Sequence, residues 1–202
     1  MKHSKDDSFH LGDIGQALVE RELKRRDYYV LASASYVSGS KAPLLNGGKD
    51  SLIAPDMLIA KKFKSHSAFG ENTEGYATWA EVKTKLSAGF RKDRNRLEHG
   101  FDEKHYEAYG EVERVTGIPV RVFIFELDTL TILHQLLSVL DVSYSRNGLV
   151  YFPRAGLREL ARVTLSDAKS QVLRFVTDKS KRVTLLEHLN KFPGTKGNVP
   201  LV

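Results

Sequence analysis

A chain of 202 residues is long enough for one domain with a real core and a modest C-terminal addition, but not for two full domains. Its 31 Lys and Arg against 25 Asp and Glu give a formal net charge of +6, which attracts polyanions. The absence of cysteine excludes disulfides, thiolate zinc sites, iron–sulfur clusters and cysteine nucleophiles together.

In chain order, Leu11, Ile14, Leu18, Val19 and Leu23 recur at three and four residues, so Leu11 to Arg26 is predicted to be a helix with one buried face. Tyr28 to Val37 is aromatic and β-branched and reads as a strand, and Gly39, Pro43, Gly47 and Gly48 then mark a loop. Asp56 to Ala60 is a short strand entered through Pro55. Polar Lys61 to Gly75 suits the turn of a hairpin whose returning strand is Tyr76 to Lys83. Helical period resumes from Phe101 to Thr116, with Gly117 and Pro119 as the stop. Val120 to Glu126 is an apolar strand, and a helix feeding it suggests a crossover within one mixed sheet.

Further strands are expected at TLTIL, from Thr129, and at Leu149 to Phe152. Pro153 suits the first turn of a helix running to Ala161, and Ser166 to Phe192 is expected to be helical. The resulting division is a core over residues 1–135 and a C-terminal extension over 136–202, packed on the core, with a loose tail from about residue 193. The charged start MKHSKDDSFH, and the lack of any run of about 18 apolar residues, lead to the expectation of a soluble cytoplasmic protein with no membrane segment.

Acid-x-Lys occurs four times, at Glu22, Glu81, Asp102 and Asp167, and three of these fall in segments expected to be helical. Glu81-Val82-Lys83 alone ends a strand. Residues two apart on a strand share a face, so Glu81 and Lys83 point the same way. The chain's one Pro-Asp pair opens the other strand of the hairpin, and antiparallel pairing brings Asp56 towards Glu81 across 25 residues. Two hard oxygen ligands and a cation around one point suit cleavage of a phosphodiester, where phosphate charge must be neutralised and water made nucleophilic. Lys83 would orient or help deprotonate the water, or stabilise the charge that builds on the phosphate. Trp79 shares this face and suggests a partly covered cleft. Between Lys83 and Arg96 stand six cations and one acid, a run that reads either as a phosphate grip or as a solvated face.

On APDMLIA at 54–60 and AEVKTK at 80–85, the chain resembles the PD-(D/E)XK nucleases, which include restriction enzymes, Holliday-junction resolvases and RecB-type exonucleases. VEREL at 19–23 is similar to the corresponding stretch of archaeal junction resolvases. The resemblance covers roughly residues 11–126. It implies an α/β fold with a restriction-endonuclease-like mixed β-sheet flanked by helices, to which a helical C-terminal extension is added here. It implies a Mg²⁺-dependent DNA endonuclease, with Mn²⁺ able to substitute, that hydrolyses phosphodiester bonds and is resolvase-like in selecting structure.

Asp56, Glu81 and Glu20 would hold metal, together with Val82, which has only main-chain oxygen to offer, and Lys83 would serve the transition state. Glu22 lies closer to the apolar face of the helix than Glu20 does, so either acid remains a candidate. Lys85, Arg91, Lys92, Arg94, Arg96 and His105 would contact nucleic acid. In the RecB-like branch a Gln and a Tyr four residues apart follow on the next helix, and His105 with Tyr109 has that spacing, with His in place of Gln. DNA is the implied partner and a homodimer the implied assembly. The rival reading is a non-catalytic DNA-binding module that keeps the nuclease fold.

Overall fold

The structure, a computed structural model, describes residues 5–32, 44–47, 50–61, 77–176 and 178–191. Helix α1 spans Lys5–Arg25 and leads through a short turn into strand β1, Tyr28–Ala32. Strands β2 (Leu44–Gly47) and β3 (Asp50–Ile53) form a small antiparallel hairpin in the stretch expected to be a loop. Strand β4 is Met57–Lys61 and β5 is Ala77–Lys85, paired antiparallel with Met57 opposite Ala80, as the hairpin expectation required. The proposed turn between them, the end of the first predicted strand and the C-terminal tail lie outside the described residues.

Beyond β5 the chain makes two strands where the sequence showed only a basic run: β6 (Gly89–Arg91) and β7 (Arg96–Asp102). Helix α2 therefore starts at Glu103, not at Phe101. Asp102 accepts hydrogen bonds from the amides of Lys104 and His105 at 3.0 and 3.2 Å, and so caps the helix. At the other end Gly117 takes φ 65°, which a residue without Cβ adopts freely, and its amide reaches the Glu113 carbonyl. Strand β8 (Val120–Glu126) returns parallel to β5 across this crossover, and β9 (Thr131–Leu136) turns back antiparallel to it.

The C-terminal part corrects one expectation. Strands β10 (Tyr144–Arg146) and β11 (Leu149–Pro153) extend the sheet begun by β6 and β7. Pro153 opens only a short 3₁₀ turn over Arg154–Gly156. The chain then runs as strand β12 (Arg158–Arg162), paired with β9, instead of as a helix to Ala161. An edge place in a sheet overrides the weak helical signal of Pro153. Two helices follow, α3 (Leu165–Phe175) and α4 (Lys179–Lys191).

The fold is α/β, with a six-stranded mixed sheet in the order β1-β4-β5-β8-β9-β12 and helices on both faces. On one face α1, α3 and α4 cover Ala80, Val82, Phe123, Phe125 and Ile132. On the other, α2 and the four-stranded sheet β10-β11-β7-β6 cover Trp79, Val122 and Ile124 with Phe101, Val150 and Phe152. Strands β5 and β8 are thus buried on both sides, which explains their near-continuous apolar character. Gly15 lets α1 lie close on β5: a Cβ there would meet Thr84 Oγ1 at 2.0 Å and Thr84 Cβ at 3.3 Å.

Candidate active site

Strand β4 stops pairing with β5 at Met57 opposite Ala80, and the chain enters it through buried Pro55. Past that point no strand among the described residues pairs with β5 on the β4 side, and Asp56 takes the place of one: its Oδ2 accepts the Val82 amide at 2.8 Å. The amide of Trp79 is spent on Pro119 and the carbonyl of Lys85 on Leu127, so odd-numbered residues of β5 direct their main-chain groups towards β8. Even-numbered ones direct them towards β4, and the Val82 carbonyl therefore points to the same open edge as its amide. Asp56, the side chain of Glu81 and the carbonyl of Val82 flank one place at the end of the hairpin.

Glu81 is 2% exposed. One carboxylate oxygen is paired with the Lys83 ammonium, and the other, Oε2, is buried with no hydrogen-bond partner. A buried charged oxygen without a partner is costly, and a cation would satisfy it. Among the described residues no three His, Asp or Glu side chains are grouped to hold a metal. The protein ligands available are two carboxylates and a main-chain carbonyl. This set fits Mg²⁺, which keeps several waters and takes substrate phosphate oxygens in preference to an all-protein cage.

The two lysines of the strand are driven apart electrostatically. Burial alone would lower the pKa of Lys83, but the Glu81 carboxylate at its side, helped by Asp56 and Asp102, overrides this and raises it above the usual lysine value. Its ammonium also sits 5.5 Å from the centre of the Phe101 ring. Lys85 has no such partner, so burial, followed by repulsion from Lys83, lowers it, and Asp102 offsets only part of that.

The structure brings Asp56, Glu81, Val82 and Lys83 together, with Lys85 one step along the same face. It does not bring Glu20 to them. Helix α1 packs on the opposite face of the sheet, and Glu20 pairs with Lys24 in a groove lined by Arg21, Gln171 and Arg174. Glu22 is buried, as the helical wheel indicated, but Arg21 and Arg25 occupy it at 3.2 and 2.9 Å. Trp79 is buried under α2 and donates to Thr116 at 3.3 Å.

His105 lies in the first turn of α2, stacked on Tyr109 with ring centres 5.8 Å apart, and its Nδ1 is buried without a partner. In the basic run, Arg91 and Arg96 converge on buried Glu98 at 3.7 and 2.8 Å, whereas Lys92 and Arg94 lie exposed in the turn between β6 and β7. Sequence reasoning missed Asp102 and Phe101, which stand against Lys83. The one signal for Asp102 was its fitness as a helix cap, hidden because helical period was read from Phe101.

No protein-family model matches the chain, and no curated protein matches it either. Among solved structures it is similar to Hjc, a Holliday junction resolvase from the archaeal hyperthermophile Archaeoglobus fulgidus. The match covers 70% of this chain and 88% of that one, at 12% identity and a TM-score of 0.43, a similarity that carries no chemistry across.

Proposed function

We propose that this protein is a divalent-metal-dependent DNA endonuclease that hydrolyses phosphodiester bonds at the edge of β5. The observation that carries the reading is the unpartnered, buried Oε2 of Glu81 beside the Asp56 carboxylate that caps Val82. Asp56, Glu81 and the Val82 carbonyl would hold Mg²⁺, which when bound neutralises phosphate charge and lowers the pKa of water. Lys83, a cation in its pair with Glu81, orients the attacking water and offsets the charge that builds on the phosphate. Lys85, Lys92 and Arg94 contact flanking phosphates, and His105 lies at the α2 end of that path. Cutting both strands with one centre per chain calls for a homodimer, which light scattering checks.

The second reading, a DNA-binding module without catalysis, is favoured by the small carboxylate set among the described residues. One experiment separates the two. Labelled duplex, flap and single-stranded DNA are incubated with the protein in Mg²⁺ or Mn²⁺, in EDTA, and with Asp56→Ala or Glu81→Gln. Cleavage is expected only with metal and both carboxylates, while DNA binding survives each substitution. Cleavage that persists in EDTA removes the metal mechanism. Binding without any cleavage selects the second reading.

A further inference from the structure

The hairpin of β6 and β7 starts four residues after the end of β5 and finishes at the cap of α2, where the Phe101 ring lies against the Lys83 ammonium. Its middle is held out from the body. Along the inward face of β7, exposure rises from 0% at Phe101 and 2% at His99 to 41% at Leu97, and Phe90, directly opposite Leu97, is 57% exposed. Burying a Phe side chain is strongly favourable, so a large apolar pair kept in water calls for an occupant.

The other face of the hairpin shows why it does not fold back. Tyr144 and Tyr151 stack at 4.8 Å and 9°, and the guanidinium groups of Arg94 and Arg91 lie over them at 4.0 and 4.5 Å. Behind them, Arg96 and Tyr144 are bound to Glu98 at 2.8 and 3.2 Å. This braces the tip. The tip itself, from Arg91 to Arg96, carries four cations and one acid.

We infer that Phe90 and Leu97 form a wedge on which an unpaired DNA base stacks where a strand leaves a duplex, with Lys92 in the turn on a neighbouring phosphate. The exposed Phe90–Leu97 pair offers a base an apolar platform and exposed Lys92 beside it offers a cation to the flanking phosphate, and proteins that insert Phe or Leu between bases combine the same two features. The wedge rests on the nuclease reading and deepens it. It makes a boundary between single and double strand the preferred substrate and sets that boundary beside β5.

The test uses the full chain in EDTA, with a flapped duplex carrying 2-aminopurine at the first unpaired position and a plain duplex of equal length. Wild type is expected to change the probe's fluorescence and to prefer the flap. Phe90→Ala should abolish the fluorescence change and weaken flap binding about ten- to a hundredfold, the worth of one stacked base, while plain-duplex affinity stays within about twofold. Phe90→Trp should restore both, and melting checks that each variant is folded.

Equal losses on flap and duplex, or a folded Phe90→Ala with undiminished flap binding, overturn the wedge. So does a Phe90→Ala that only dissolves a dimer, which would make this face an interface between copies. A wild type that cuts DNA in Mg²⁺ yet is indifferent to Phe90 loses the wedge and keeps the nuclease. One that stacks the base and never cuts keeps the wedge and loses the nuclease.

Discussion

Lys83 and Lys85 lie on one side of β5 two residues apart, yet Lys83 is ion-paired with Glu81 whereas Lys85 feels only the weaker pull of Asp102. A positive charge fixed beside the scissile phosphate acts mostly in the transition state, where negative charge develops. Lys83→Ala is therefore expected to lower single-turnover cleavage by about two to three orders of magnitude with DNA affinity nearly intact. Lys85→Ala should cost much less. Because Lys83→Ala also leaves the buried Glu81 carboxylate unpaired, its melting temperature should fall, so the comparison is made below the melting point of the weaker variant. Near-wild-type cleavage by Lys83→Ala would remove Glu81-Val82-Lys83 from the active site.

At the level of elements, a single carboxylate joins the two sheets. Glu126 at the end of β8 is 1% exposed and accepts from His99 of β7 at 2.9 Å and from both arms of Arg154 at 2.7 Å. Burial would raise its pKa, but these hydrogen bonds and the Arg154 charge win and lower it to about 2. A carboxyl depressed in the folded state stabilises fully above its unfolded pKa, near 4.5, and loses that contribution as pH falls towards 2. Wild type should thus lose about 3 kcal/mol from this group between those limits, and Glu126→Gln should lower neutral-pH stability while flattening the acid limb. Urea unfolding across pH reads both; an equally steep acid limb in Glu126→Gln would show that other carboxylates govern it. The approach of α1 to β5 gives a second test. Alanine gains about 1 kcal/mol in a helix interior over glycine, but overpacking typically costs about 1–3 kcal/mol, so Gly15→Ala should destabilise and Gly15→Ala with Thr84→Ala should recover part of the loss.

For the whole molecule, the charge pattern decides how DNA binding responds to salt. Arg91 and Arg96 neutralise buried Glu98, whereas Lys92 is exposed and Arg94 pairs at 3.7 Å with the exposed Asp93, a contact that phosphate can replace, so of the four cations near the hairpin tip Lys92 and Arg94 are the ones that can displace counterions. Replacing both by alanine should flatten the log–log salt dependence by about two, at roughly 0.9 per phosphate contact. Replacing Arg91 and Arg96 should change the slope little and lower the melting temperature instead. An unchanged slope in the Lys92 and Arg94 variant would make the run a solvated face.

Periodicity and spacing in the sequence determined α1, the β4–β5 hairpin, the crossover into β8 and the convergence of Asp56, Glu81 and Lys83. These are local patterns, or pairings between strands close in the chain, and alternation along a strand is set by covalent geometry. The hairpin of β6 and β7, the β2–β3 pair and the edge strand β12 were not legible. Each is short, polar or set by a distant partner: β7 exists because β11 lies beside it, and β12 because β9 offers an open edge. Likewise, only packing could decide that α1 lies across the sheet from Glu81 and so takes Glu20 away from the site. Helical period tells which side of a helix is buried but not which face of a sheet receives it.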